Sequence, residues 1–220
     1  MKIPNPPAAV RRGWHLAAVL TVLVLGGCSG LRPSPAPPPA FYALDSVNRP
    51  AALAPALAAS AARPSASTLT LIINPPQAVA GFDSQRIIYV REPHKLDYFA
   101  HSEWIDPPAR MLGPLLVTAI ERAGTFRAVV LTPGAATGDW RLDTEIIRLQ
   151  HEFQTQPSRV RFTLRATLVD DKTRRVLAVR EFDATATAAA DNPYGGVVAA
   201  NQVVQTVLTE LSQFLTERKQ

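Results

Sequence analysis

The segment Arg159–Leu168, RVRFTLRATL, decides the fold. Val160, Phe162, Leu164, Ala166 and Leu168 alternate with Arg159, Arg161, Thr163, Arg165 and Thr167. A period of two puts one set on a core and the other in solvent, which is the pattern of a half-buried strand. The polar run Asp170-Asp171-Lys172-Thr173 comes next and returns the chain into Val176–Ala186. So short a link forces antiparallel pairing, because a parallel return needs a dozen or more residues. On the N-terminal side, Phe126–Leu131 and Trp140–Phe153 read as strands separated by Pro133-Gly134 and Gly138. Trp140, Leu142, Thr144 and Ile146 share one face of the longer strand, after which Ile147, Leu149 and His151 take over the apolar phase. A one-residue shift in a period of two predicts a bulge near Ile146.

Two helices complete the pattern. Leu112, Leu115, Leu116, Ala119 and Ile120 recur at helical spacing before Gly124, and Asp106-Pro107 has the form of a cap followed by proline in the first turn. Pro114 lies inside this run, so either the helix kinks there or Asp106–Gly113 is a separate turn. Val197, Ala200, Val204, Val207, Leu208, Leu211 and Leu215 form the apolar stripe of a closing helix. Leu69–Ile73, Arg86–Val90 and Leu96–Ala100 are earlier strands, the first two ended by prolines. The expected architecture is α+β: a single domain with a mainly antiparallel sheet covered by two main helices on the same apolar side.

The N-terminus has a different character. Lys2, Arg11 and Arg12 precede the apolar run Leu16–Leu25, LAAVLTVLVL, in the order of an export signal. Ten helical residues rise about 15 Å, half of the roughly 30 Å hydrocarbon core of a bilayer. Leu25-Gly26-Gly27-Cys28 closes the run, a lipobox-like sequence with small residues at the cleavage point and a thiol as acyl acceptor. Residues 1–27 are therefore expected to be a lipoprotein signal peptide, with Cys28 as the lipid attachment site. Cys28 is the sole cysteine, so the mature chain can form no internal disulfide. Several acyl chains together anchor firmly where one holds reversibly. In the diderm lipoproteins that this N-terminus resembles, an aspartate after the cysteine often signals inner-membrane retention; Ser29 at that position implies the periplasmic face of the outer membrane over the inner membrane.

Residues 28–66 read as the lipidated N-terminus and a Pro/Ala-rich tether, and residues 67–220 as the folded domain. Within the tether, Phe41-Tyr42-Ala43-Leu44 is either a short strand docking on the domain or exposed linker. Removing Lys2, Arg11 and Arg12 with the signal takes the formal charge from +5 to +2, so the basic isoelectric point is partly a property of the discarded segment. Nucleic acid is not an expected partner.

The chain resembles the auxiliary lipoproteins of ABC-type lipid transport systems, the family that accompanies mammalian-cell-entry substrate-binding proteins in diderm bacteria. The resemblance rests on the lipobox, Phe41-Tyr42-Ala43-Leu44-Asp45, Ser84-Gln85-Arg86-Ile87-Ile88-Tyr89, the run Leu96–Trp104 leading into Pro107-Pro108, and Gly196-Val197-Val198-Ala199-Ala200-Asn201-Gln202. It implies a non-catalytic periplasmic component that assists movement of phospholipid, sterol or a similar apolar lipid between the two membranes. It further implies a mammalian-cell-entry protein as partner, with permease and ATPase as separate proteins. A structural outer-membrane scaffold that never touches lipid is the alternative. A lipid ligand and a homo-oligomer are both left open.

Enzyme chemistry has little foothold. His94, His101 and His151 show no close metal-ligand spacing, and no Gly-rich phosphate loop is present, so neither metal nor cofactor is expected. Asp143 and Glu145 share a strand face that solvation explains. Two groups remain as candidate contacts. Tyr98, Phe99 and Trp104 crowd a polar segment and form a candidate partner-docking set, with Trp104 alternatively stapling the adjoining helix. Arg159, Arg161 and Arg165 line one strand face, suited to phospholipid headgroups or an acidic partner, or simply solvated.

Overall fold

The computed structural model describes residues 38–45, 67–134 and 137–219. Cys28, the signal segment and most of the tether lie outside them. The described residues form nine strands and two helices: β1 (Ala40–Tyr42), β2 (Thr70–Ile73), β3 (Gln77–Ala78), β4 (Arg86–Val90), β5 (Asp97–Trp104), α1 (Pro108–Ala123), β6 (Ala128–Leu131), β7 (Trp140–Glu152), β8 (Arg159–Asp170), β9 (Val176–Thr187) and α2 (Pro193–Lys219).

β7, β8 and β9 are the antiparallel meander that the alternation predicts. The phase change in β7 is a register shift between Ile146 and Arg148, at the position expected for the bulge. All five alternating apolar residues of β8, Val160 to Leu168, are buried, as is Val169 beside them. The other edge of β7 is shared by three short strands laid end to end and parallel to it: β2 along Trp140–Leu142, β3 along Glu145–Ile146 and β4 along His151–Glu152. Backbone bonds from Asn74 to Leu142, Val79 to Ile146 and Phe153 to Val90 fill the joints. β6 adds to β2, while β5 and then β1 add to β4. The long ladders are antiparallel and several short ones are parallel, an arrangement that hydrophobic periodicity does not predict.

Both helices lie over the same side, since α1 packs on α2 and their apolar residues join one core with Leu71, Ile73, Phe162, Leu164 and Phe182. The whole predicted stripe of α2 from Val197 to Leu215 is buried. Phe214 adds a T-shaped contact with Phe182 at 5.9 Å, and the Thr125 and Thr216 hydroxyls meet 2.6 Å apart where α2 passes the end of α1.

The start of α1 corrects one expectation. Asp106 makes no cap: Pro107 has the extended conformation (φ −50°, ψ 135°) that precedes a helix, and Pro108 occupies the first turn. Asp106 instead pairs with Arg110 at 3.1 Å. Pro114 is accommodated inside one helix, which ends at Gly124 with φ of 65°, a left-handed turn that glycine adopts without strain. The third early strand also runs further than Leu96–Ala100, to Trp104, because β1 pairs with its last residues.

Candidate functional site

The end of the tether is part of the fold. Ala40, Phe41 and Tyr42 pair in parallel with Ser102, Glu103 and Trp104, and the compact unit begins at Pro39 rather than at residue 67. Asn201, buried on α2, holds the next three residues: its amide oxygen accepts the Asp45 N–H at 2.8 Å, and its amide nitrogen donates to Ala43 O and Val197 O, each at 3.1 Å. Leu44 is thereby set into the core. The segments Phe41–Asp45 and Gly196–Gln202, far apart in sequence, are thus two halves of one clamp. A polar residue on an otherwise apolar helix face was the available signal for it, since such a side chain stays buried only when its hydrogen bonds are met.

The three aromatics expected to dock a partner are separated by the fold. Trp104 is 3% exposed and belongs to the core, so its indole offers no surface to a partner. Tyr98 is 49% exposed, with the Arg86 guanidinium 4.2 Å over its ring. Phe99 is half-buried in an aromatic group with Tyr89 (4.7 Å between ring centres), Phe153 and His151. The irregular pairing of β5 with β4, in which Arg86 meets Glu103 but Ile88 meets Tyr98, breaks the alternation and puts these side chains into different surroundings.

The arginine row is neutralised by neighbouring strands. Arg159 binds Glu152 at 2.8 Å, Arg161 binds Asp183 through two nitrogens, and Arg165 reaches both Glu145 and Glu181. Donation from Arg161, reinforced by the Thr163 hydroxyl, lowers the Asp183 pKa to about 2. This outer face is a lattice of cross-strand ion pairs, and its arginines already have anionic partners.

A polar group that sequence reasoning missed lies at the mouth of the β7–β8 hairpin. Ser158 donates its hydroxyl and its backbone N–H to Asp191, and the Nε2 of His151 lies 2.8 Å from the same hydroxyl. Since the serine proton is committed to the carboxylate, Nε2 carries the imidazole proton and Nδ1 is bare; Nδ1 is buried without a partner. Burial lowers the His151 pKa, and the Asp191 charge opposes that only in part. The order Asp–Ser–His is not one that activates a nucleophile, and Ser158 is fully buried. The group ties the hairpin to the start of α2. Gly196 is required there, as a Cβ on it would stand 2.5 Å from His151 Nδ1.

Two grooves open to solvent, one of about 490 Å³ between α1 and α2 beside Arg122, Gln205 and Glu217, the other of about 500 Å³ beside Pro76, Pro107 and Arg110. Between the helices and the sheet, bulky side chains such as Phe162, Phe182, Leu116 and Leu208 fill the interior. Among the described residues no group of His, Cys, Asp and Glu is placed to hold a metal ion, and no helix is long and apolar enough to cross a membrane.

Apart from Tyr194 at the start of α2, the exposed large apolar side chains among the described residues collect at the β1 and β9 ends of the sheet. Phe41, Leu96, Tyr98 and Ile105 lie in or beside β1 and β5; Val176, Leu177 and Val179 open β9. Strand order β1-β5-β4-β7-β8-β9 makes these opposite edges. No strand among the described residues pairs with the outer edge of β9.

No curated protein matches the chain. Among solved structures, a protein from Xanthomonas campestris aligns with a TM-score of 0.67 at 24% identity, covering 81% of this chain and 95% of its own. An uncharacterized protein aligns at 0.60 and 11% identity, covering 81% and 99%. Both share the fold. Residues 52–212 match the family described as ABC-type transport auxiliary lipoprotein component, a length that holds β2 to β9, α1 and most of α2 with the Asn201 side of the clamp, so the chain belongs to this family.

Proposed function

We propose that this protein is the non-catalytic, lipid-anchored periplasmic component of an ABC-type system that moves phospholipid, sterol or a similar apolar lipid between the inner and outer membranes. In this reading Cys28 carries the acyl chains, Ser29 directs the protein to the outer membrane, and a mammalian-cell-entry protein is its periplasmic partner. Membership of the auxiliary lipoprotein family supports the transport role. The observation that bears most on how it acts is the filled interior. A protein that carries lipid encloses most of the ligand's surface in an apolar cavity. Here the space between sheet and helices is occupied by side chains, and the grooves lie outside it, open to solvent and lined by apolar and polar groups together. The domain acts by docking, close to the scaffold alternative, and leaves lipid passage to its partner.

The docking surface in this reading is the β9 edge. Its unpaired backbone and Val176, Leu177 and Val179 lie at the opposite end of the sheet from the segment that leads back to Cys28. A strand of the partner adding to this edge would satisfy the backbone and cover the apolar side chains together. Co-purification of the full chain with the mammalian-cell-entry protein, followed by native mass spectrometry, tests both statements. A complex formed with no lipid on the isolated lipoprotein is expected. Stoichiometric lipid on the isolated lipoprotein would return it to the role of carrier.

A further inference from the structure

The β1 edge is the one place where the position of the chain's anchor and the shape of the domain constrain each other. Cys28 precedes Pro39 by eleven residues, which span at most about 40 Å when fully extended. From Ala40 to Asp45 the chain is fastened. β1 is laddered to β5, Tyr42 O accepts the Ile105 N–H at 2.7 Å, and Asn201 fixes Ala43 and Asp45. The point at which the tether meets the domain is therefore a fixed point on a rigid body.

Around that point the surface is apolar. Phe41 is 54% exposed and Ile105 is 55% exposed, and the Tyr42–Ile105 bond makes them neighbours. Phe41 pairs in register with Glu103, which pairs with Arg86, whose guanidinium covers the exposed ring of Tyr98. An apolar pair beside a tyrosine and a cation is the composition of a surface that rests among lipid headgroups, where rings and alkyl groups bury while polar tips remain wet. The Asp106–Arg110 pair nearby is self-neutralised. Glu103 lies between Phe41 and Arg86 in the ladder, so the row has no net charge.

We propose that the β1–β5 edge is a membrane-contacting surface, with Phe41 and Ile105 seated in the headgroup layer of the bilayer that holds the acylated Cys28. The inference rests on lipidation of Cys28 and goes beyond it, since an anchored domain need not touch the bilayer at all. The contact is small and would not recruit a soluble protein. A tether of eleven residues supplies a high effective concentration, so weak contacts become populated once the acyl chains are inserted. Seating this edge turns β9, at the other end of the sheet, away from the bilayer and towards the periplasm.

The test uses the full mature chain, lipidated in cells and reconstituted into phosphatidylethanolamine/phosphatidylglycerol vesicles. Nitroxide labels are placed through Phe41→Cys, Ile105→Cys and, on the opposite edge, Val179→Cys. Power saturation then compares collisions with membrane-dissolved oxygen and with a water-soluble nickel chelate. The oxygen-to-nickel ratio at positions 41 and 105 is expected to exceed that at 179 several-fold. Ile105→Cys stands outside the β1 ladder, so it reports independently if the label at 41 releases β1. Equal ratios at all three positions, in protein that floats with the vesicles and carries labelled palmitate, would overturn the membrane-facing edge and leave lipidation intact. Absence of palmitate from Cys28 would overturn both, and the protein would then stay in solution.

Discussion

The β1 and β9 edges of this sheet are built in opposite ways. At one end the chain covers part of its own edge: the three residues of β1 pair with the last three of β5, and a buried asparagine from α2 fastens Ala43 and Asp45 just beyond them. At the other end β9 presents twelve residues with no strand on their outer side among those described. Open edges invite pairing with foreign strands, and proteins blunt them with charge. β9 is blunted over half its length, where Glu181 and Asp183 pair with Arg165 and Arg161, and is left apolar at Val176, Leu177 and Val179. One edge is committed to the protein's own N-terminus, whereas part of the other is open to a partner.

Both edges depend on the same core, so the largest effect is expected from breaking it. Leu208→Asp places a charge where α2 meets the sheet, costs several kcal/mol, and should abolish the cooperative thermal transition. An unchanged melt would show that α2 is peripheral. Trp104→Ala should cost about 3–5 kcal/mol, as for other large buried aromatic truncations. Its damage should centre on the β1–β5 end, which a melt together with proteolysis of the N-terminal segment would show. If the melt hardly moves while partner binding falls more than tenfold, Trp104 is a docking residue after all.

Asn201→Ala separates the edges more finely. It removes the side-chain hydrogen bonds to the Asp45 N–H and the Ala43 carbonyl, at a cost of about 0.5–1.5 kcal/mol each because both residues are exposed to water. Amide exchange should rise in residues 40–45 and stay unchanged in residues 176–187. Acceleration of equal size in both would mean that the clamp supports the whole fold and not one edge.

Acid acts through His151 and Asp183. Burial lowers the His151 pKa, so the folded protein binds that proton less readily than the unfolded chain. The resulting stability is complete above the usual histidine value near 6.5 and is lost as pH falls towards the lowered folded value. Asp183, held at about 2 by Arg161, adds stability that is complete above the usual carboxylate value of 3.8 and is lost as pH falls through 2. Melts of the parent and His151→Gln proteins between pH 7 and pH 5 should converge as acid is added if His151 causes the first loss. Parallel curves would assign it elsewhere. The smallest change in stability belongs to Val179→Lys, within about 0.5 kcal/mol because the side chain is exposed, although the same substitution should weaken co-purification with the proposed mammalian-cell-entry partner more than tenfold. Unchanged co-purification would remove β9 as the docking edge.

The meander and α2 were legible because their signals are local: alternation in β8, a phase change in β7, and an apolar stripe from Val197 to Leu215. The parallel joints of β2, β3 and β4 along β7 were not, since their register is set by residues far apart in sequence and leaves no periodic trace. The same cause separates the candidate site residues from their expected roles. Arg159, Arg161 and Arg165 read as an unpaired cationic row because the carboxylates that meet them arrive on β7 and β9 through register. Trp104 in a polar segment reads equally well as anchor or core until β1 is laid beside it. The short strand at Phe41–Leu44 was one of two readings of the interruption in the Pro/Ala-rich segment, and what decides between them is Asn201, more than 150 residues away.

A division of labour between the edges is the central claim, and hydrogen exchange on the lipidated chain in vesicles, with and without the mammalian-cell-entry protein, tests it most directly. Adding the partner is predicted to slow exchange across Val176–Thr187 and to leave Ala40–Asp45, already clamped, unchanged. Slowed exchange at β1 and β5 with none at β9 would contradict it.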